Sequence, residues 1–505
     1  MERRSVLAFI LILLLVPSLV LAAPARTIPV GPETNGLELV GADGSGLNFR
    51  ATVGELRALE VATKGGDFAR LVLPGFHSSK DLGAPELPMM NELIAVPFGA
   101  TARVEIANLV TRSVKLADYG VDIRVMPAQP SMPKNVGATD WAFVYETAAY
   151  DVVKVARETA VVVPQGRLRG VDFARLEYSP IRYLPGTGEL EIVESADLRV
   201  VFEGGDRVAG DDLYEGTWSP FYTHLYDQLT GSRGLHDSFP DHVQDVVTMV
   251  IITPPEFQYT LTDFVNWKTQ RGFNVIVGVT GTPEVGATTT SIQSFIQNLY
   301  DNPTPASPAP SFVIFVGDTG QMPTWTVGGD ATDRPYCTMD GDYVPDIYYG
   351  RLSCTNVSQL QAILEKTLVY DQFTMPDPSY LGEVTMIAGV DASFAPTHGN
   401  GQINYGTNTY FNAAHDLVSN TWLYPASNGA VESAVIQTVS DGVAYINYTA
   451  HGSQTSWADP TFTQSNINSL TNAGKYTLAV GNCCLTATFN YAECFGETFL
   501  RAPNK

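Results

Sequence analysis

Basic residues are scarce in this chain: 30 Lys and Arg stand against 53 Asp and Glu over 505 residues, a formal net charge of −23. A surface that acidic repels phosphate backbones, which argues against nucleic acid as a partner. Cysteine is scarce too. The five, Cys337, Cys354, Cys483, Cys484 and Cys494, all lie in the last third, and no pair has zinc-finger spacing. Beyond the N-terminus there is no long apolar run, so no later segment offers the ~20 apolar residues of a spanning helix.

The N-terminus itself reads as a secretory signal over residues 1–22. Arg3 and Arg4 form a basic start, Val6 to Val16 a short apolar stretch, and Val20-Leu21-Ala22 or Ala23-Pro24-Ala25 a small-residue cleavage site. The apolar stretch is too short for an anchor, so the expected mature product has no membrane span and is secreted or held at the cell surface. An odd number of thiols in an exported protein leaves one free if the rest pair. Cys337 with Cys354 is the candidate disulfide.

The length allows roughly three domains of ~150 residues. Within a domain taken as residues 23–213, the stretch from about Gly36 to Gly204 alternates apolar and polar positions, as in Thr101-Ala-Arg-Val-Glu-Ile106 and Glu189-Leu-Glu-Ile-Val193, with turn signals such as Pro185-Gly-Thr-Gly188. Period two with Gly and Pro punctuation predicts an all-β, antiparallel domain. Its one histidine, His77, reads as a turn or surface residue. Residues 214–245 lack sustained periodicity and read either as a linker, with Arg233 before Gly234 as a candidate processing site, or as an ordered connector that is never cut.

From residue 246 the pattern changes. Val247–Thr253, Asn274–Val279, Phe312–Val316, Val384–Val390, Val443–Thr449 and Tyr476–Gly481 read as strands. Between them lie helical faces such as Leu360, Ile363, Leu364 and Leu368. Strands alternating with helices predict an α/β domain with a mostly parallel sheet flanked by helices over 246–505, with a subdomain break near 376–381.

Two strand ends carry the candidate chemistry. One runs Tyr445-Ile-Asn-Tyr-Thr-Ala-His451-Gly452; the other runs Tyr476-Thr-Leu-Ala-Val-Gly-Asn-Cys483-Cys484. In open α/β sheets, sites form beyond the carboxyl ends of strands, so neighbouring strands of this kind bring an imidazole and a thiol together. A thiol with pKa ~8.5 needs such an imidazole to act as thiolate at neutral pH. Gly452 lacks a side chain, so its N–H, with that of the nucleophile, can form an oxyanion hole. Cys483 and Cys484 alternate along the strand, so only one faces the site; the pattern alone leaves open which.

The segment His451-Gly-Ser-Gln-Thr-Ser-Trp-Ala-Asp459 closely resembles the catalytic-histidine block of the gingipain family of cysteine endopeptidases, and the stretch from Cys483 to Ala502 resembles its nucleophile block. The resemblance continues through Ile251-Ile-Thr-Pro-Pro-Glu-Phe257, Trp267-Lys-Thr-Gln-Arg-Gly272, Phe315-Val-Gly-Asp318 and Tyr349-Gly-Arg-Leu-Ser-Cys354. It implies a caspase-like peptidase fold for 246–505. On weaker motifs, Glu86-Leu-Pro and Ile94-Ala-Val-Pro-Phe-Gly-Ala100, it implies a β-rich propeptide ahead of that domain. It places the nucleophile on Cys484 and the general base on His451. It also points to Asp391 as a third member, although a carboxylate at a strand end serves equally as a turn or helix cap. Gln402 falls near the region where Arg-specific members carry an acidic residue.

Catalysis of this kind needs no cofactor. Structural calcium is an expectation of the family, and Asp333, Asp340, Asp342 and Asp346 supply hard oxygen ligands around a Gly turn, without the closing Glu of an EF-hand loop. The expected partners are protein or peptide substrates and the chain's own propeptide, acting as intramolecular inhibitor of a secreted zymogen. The chain stops soon after Cys484, where the family continues with more sheet, so the C-terminus is expected to be truncated. Two rival readings remain: a catalytically inactive adhesion or secretion-associated binding protein, and a β-rich binding protein carrying an α/β domain. Both His451 and Cys484 being present disfavours the first.

Overall fold

The computed structural model describes residues 25–130, 142–232, 246–391 and 394–505. The signal segment 1–22 and the processing candidate Arg233 lie outside the described residues. The chain divides into two compact units, and the division does not follow a single point in the sequence. The first unit holds described residues of 25–92, 103–163 and 176–201, and the second holds 93–102, 164–175 and 202–505.

The first unit is built from antiparallel pairs, as its alternation requires. Arg26–Pro29 pairs with Glu55–Thr63, which pairs with Gly66–Val72. Gly36–Asp43 pairs with Gly46–Thr52, which pairs in turn with the long strand Glu189–Gly204. In that strand Leu190 and Ile192, then Ala196, Leu198 and Val200, point inward at period two. The unit's core gathers Ile28, Leu56, Leu71, Val125, Tyr183 and Ile192.

The second unit contains two parallel four-stranded sheets. The first uses β1 (Val247–Thr253), β2 (Phe273–Val279), β3 (Phe312–Val316) and β4 (Tyr348–Leu352), in the order β2-β1-β3-β4. Its helices are α1 (Thr262–Gln270), α2 (Thr289–Asp301) and α3 (Val357–Asp371). Successive residues of β1 go to opposite faces: Val250 and Ile252 pack with Ile292 and Ile296 of α2, while Ile251 packs with Phe264 of α1 and Leu360 of α3. Covering both faces is why β1 carries the continuous apolar run Met249-Val-Ile-Ile252. Each such fully buried side chain stabilises the fold by about 1.5–3 kcal/mol.

After the break at Pro376–Gly382 the same order recurs. The strands β5 (Glu383–Ala388), β6 (Val418–Trp422), β7 (Tyr445–Thr449) and β8 (Leu478–Asn482) form a sheet in the order β6-β5-β7-β8. Its helices are α4 (Asn400–Thr409), α5 (Glu432–Asp441), α6 (Gln464–Ser469) and α7 (Phe495–Arg501). Met386 and Ala388 face Ile403 of α4, and Ile387 faces Val435 and Val439 of α5. The chain leaves β5 toward β6 and returns past it to β7, so a topological switch point opens beyond the carboxyl ends of β5 and β7. Strands β4 and β6 escape a reading from sequence because both are short edge strands, and Val-Ser-Asn-Thr-Trp of β6 carries little apolar signal. Among the described residues no helix is long and apolar enough to cross a membrane.

Candidate active site

Strands β5, β7 and β8 run parallel in matched register, with Ala388 opposite Thr449 and Thr449 opposite Asn482. Just past those three ends come Asp391, His451 and Cys484. The register alone therefore brings the predicted residues to one rim. His451 Nε2 lies 3.3 Å from Asp391 Oδ2, with the two side chains 26% and 10% exposed. The other carboxylate oxygen, Oδ1, accepts the Phe394 N–H at 3.0 Å, and the Asp391 carbonyl accepts the Ala395 N–H at 2.8 Å. Asp391 is thus both the histidine's partner and the cap of the turn leading to α4.

The loop carrying His451 is pinned from beneath. The Tyr448 hydroxyl donates to the His451 carbonyl at 2.7 Å, the Ala458 N–H donates to the same oxygen at 3.0 Å, and Gly452 forms a bridge with Trp457. Tyr448 stacks on Trp457 with centroids 4.5 Å apart, over Phe462 and Phe495. An imidazole on so fixed a backbone needs little reorganisation to act.

The two adjacent cysteines separate as strand alternation demands. Cys483 is half-buried, packs with the core that holds Tyr448 and Trp457, and has Sγ 3.4 Å from Thr486 Oγ1. Cys484 is exposed. Its carbonyl accepts the Thr486 N–H at 2.8 Å, and Leu485 between them has φ 63°, a left-handed conformation uncommon for a side chain of that kind. This tight turn follows directly on the strand end and leaves Cys484 at the surface. Gly452 closes the gap to it: a Cβ there would sit 2.8 Å from the Cys484 carbonyl oxygen and 2.9 Å from Thr486 Cγ2. Only glycine permits that approach, so its first role is to let the His451 loop and the Cys484 turn meet.

Further contacts had little signal in the sequence. Gln402 Oε1 accepts from Thr449 Oγ1 and from Asn482 Nδ2, each at 3.2 Å, and so ties together the ends of β7 and β8. Helix α7 locks the rim from behind: the Phe495 N–H donates to the Gln454 carbonyl at 2.6 Å and the Gly496 N–H to the Thr486 carbonyl at 2.8 Å. The same helix enters a buried ionic network. Arg501 Nη2 donates to Glu497 Oε1 at 2.7 Å and to Asp318 Oδ2 at 2.8 Å, while Ser353 Oγ donates to Glu497 Oε1 at 2.5 Å. Glu497 Oε2 also accepts the Cys494 N–H at 2.7 Å. The spacing of Cys494, Glu497 and Arg501 matches a cap followed by an i,i+4 pair, the one signal available for it.

One expectation is corrected. Cys337 and Cys354 are free thiols on opposite faces of the first sheet, Cys337 with the α2 side and Cys354 with the α3 side. Burial pushes the Cys354 thiol up to about 12 and raises Cys337 strongly, so both are held protonated. The four acids predicted for calcium do not converge. Asp333 holds Arg351 in a two-pronged pair, with both N···O distances 2.7 Å. Asp340 pairs with Arg167 at 3.3 Å. Asp342 accepts the N–H groups of Arg167 and Val344, and Asp346 those of Arg169 and Met339. Among the described residues no three acidic, His or Cys side chains are grouped to hold a metal. Oxygens already satisfied by arginine and main-chain donors do not fit a calcium cradle.

Residues 242–505 match the model of Peptidase family C25, and residues 39–211 match that of the C25 propeptide. This chain belongs to peptidase family C25. It is 37% identical over 460 residues to Lys-gingipain of Porphyromonas gingivalis, covering 89% of this chain and 26% of that protein. Gingipain R2 of the same organism is 23% identical over 424 residues, covering 83% of this chain and 56% of that protein. The chain thus spans about a quarter of the length of the Lys-gingipain it matches. Among solved structures, one described as a protease is 39% identical over 53% of this chain and 60% of that chain, with a TM-score of 0.49. Another, on the zymogenic latency of gingipain K from Porphyromonas gingivalis, is 31% identical over 36% of this chain and all of that one, with a TM-score of 0.34. Family membership covers both the α/β region that bears the site and most of the β-rich region before it.

Proposed function

We propose that this chain is an exported precursor of a cysteine endopeptidase, with Cys484 as nucleophile and His451 as general base and acid. The observation that carries the reading is the delivery of Asp391, His451 and Cys484 by three register-matched parallel strands, with Asp391 3.3 Å from one edge of the imidazole. With Nε2 turned to Asp391, Nδ1 is the nitrogen that serves the thiol. His451 takes the thiol proton, Cys484 Sγ adds to the peptide carbonyl carbon, and main-chain N–H groups of Cys484 and Gly452 receive the oxyanion. The imidazolium returns the proton to the departing amine, which leaves a thioester. Water, deprotonated by His451, then releases the carboxylate product and the free thiol. Asp391 orients the ring and stabilises the imidazolium throughout.

The substrates are proteins or peptides, and residues 23–213 act as the propeptide that keeps the enzyme latent. The match to the C25 propeptide over 39–211 supports that division of labour. The test is labelling with electrophilic peptide probes bearing Lys, Arg or an uncharged side chain at the P1 position, after cleavage in the linker. Label on Cys484, lost in Cys484→Ala, is the expected result. Label on Cys483 alone, or on no cysteine of the processed protein, would overturn the assignment.

A further inference from the structure

Arg169 lies on the N-terminal side of the linker, yet it belongs to the second compact unit and is 0% exposed. Its guanidinium is satisfied by main-chain oxygens. Nη1 donates to the carbonyls of Pro310 at 2.8 Å and Asp346 at 2.7 Å, Nη2 to that of Ala309 at 3.3 Å, and Nε to that of Thr217. The faces of the group lie over Tyr222 and Tyr300, at 4.9 Å and 5.4 Å from the ring centroids. Asp346 is gripped a second time, since its Oδ1 accepts the Arg169 N–H at 2.8 Å.

The turn bearing Arg169 is shaped for this insertion. Arg169 has φ 55°, and a Cβ on Gly170 would come within 2.5 Å of Tyr214 Cα. Two residues earlier, the Arg167 N–H donates to Asp342 Oδ2 at 2.8 Å and its guanidinium reaches Asp340. The receiving surface, Ala309 to Ser311 and Asp346, precedes β3 and β4, at the amino ends of the first sheet. The reactive rim stands at the carboxyl ends of the second.

We propose that this carbonyl-lined pocket is the anchor by which the N-terminal region stays on the peptidase unit after the linker is cut, with Arg169 as its principal contact and the active site not required for the hold. A fully desolvated arginine set among aromatic rings is the kind of residue on which an interface depends most, and its removal acts mainly on dissociation. Withdrawing it would leave the Ala309, Pro310 and Asp346 carbonyls without their donor. The acidic loop 340–346 therefore serves as a receptor for an arginine-bearing turn. The inference rests on the precursor reading only in taking the linker as the place of cutting.

The test uses the full chain carrying Cys484→Ala, with a recognition site for a specific added protease placed between residues 233 and 245. After cutting, retention of the two pieces is followed by size-exclusion chromatography and their dissociation constant by dilution. The parent pieces are expected to remain together, and Arg169→Ala to weaken the association by about 100-fold or more, as buried arginine hot spots do. Arg169→Lys, which keeps the charge but cannot reach the same set of carbonyls, should weaken it by roughly 10-fold. Arg157→Ala, which removes an exposed pair with Asp81, should leave it unchanged. If Arg169→Ala does not fold before cutting, as judged by circular dichroism, Arg169→Lys decides. Parent-like dissociation in a folded Arg169 variant would overturn the proposal. Because association rather than peptide hydrolysis is measured, failure of the anchor and failure of the enzyme assignment are read separately.

Discussion

Asp391 divides its carboxylate between two tasks: Oδ2 faces His451 Nε2 at 3.3 Å, and Oδ1 caps the Phe394 N–H at 3.0 Å. The cap fixes where the acid stands, and the acid fixes the ring. Neither contact replaces the other, so each has its own signature in a mutant.

Replacing Asp391 with Asn keeps an acceptor for Phe394 but removes the charge facing the imidazole. The expected loss in kcat/KM is about 10²-fold, the lower end of what a positioned acid or base contributes. Steady-state kinetics check this, and an unchanged rate would reduce Asp391 to a cap.

Gly452→Ala should separate stability from activity. The new methyl group meets the Cys484 carbonyl at 2.8 Å, a backbone atom in a tight turn that cannot swing aside as a side-chain tip would. Overpacking of this kind costs about 1–3 kcal/mol, and here it falls on the spacing between the His451 loop and the Cys484 turn. Urea unfolding should show that modest loss while probe labelling of Cys484 falls far more steeply. Equal, small effects on both would mean the two loops tolerate separation.

Arg501→Ala leaves Glu497 and Asp318 buried and facing each other's charge without their shared cation. Breaking one partner out of such a buried network costs about 3–5 kcal/mol. Because Glu497 also receives the Cys494 N–H and Gly496 bonds the Thr486 carbonyl in the turn after Cys484, labelling of Cys484 should weaken along with stability. Denaturant unfolding with a loss below about 1 kcal/mol, the scale of an exposed pair, would contradict the role given to this network.

Asp346 makes stability depend on pH in an uncommon direction. Burial pushes its carboxyl up to about 7, against the two N–H bonds that lower it. Between the ordinary carboxylate range and that value the folded chain holds a proton that the unfolded chain has released. Its contribution is therefore full at acid pH and is lost as pH rises toward 7. Asp346→Asn should flatten this part of the profile, so the fall in Tm between about pH 5 and pH 8 becomes smaller than in the parent. Parallel profiles would mean that Asp346 does not titrate there.

Much of this was legible in the sequence because it depends on local rules. The buried runs of β1, β3, β5 and β7 announce a parallel sheet, and strict alternation announces the β-rich region. A His-Gly and a Cys-Cys at strand ends mark the rim to which we assign the chemistry. Strand alternation already required that one of the adjacent cysteines turn away. What the sequence could not decide depends on atoms distant along the chain. Register between β5, β7 and β8 brings Asp391, His451 and Cys484 to one rim, and no single segment encodes register. The acids at 333–346 have a spacing that is local, whereas the arginines that meet three of them, Arg167, Arg169 and Arg351, arrive from elsewhere. Cys337 and Cys354 looked like a pair for the same reason, until the sheet stood between them. Composition and periodicity set which groups are available; tertiary packing alone set which of them meet, because a contact across the fold has no spacing along the chain.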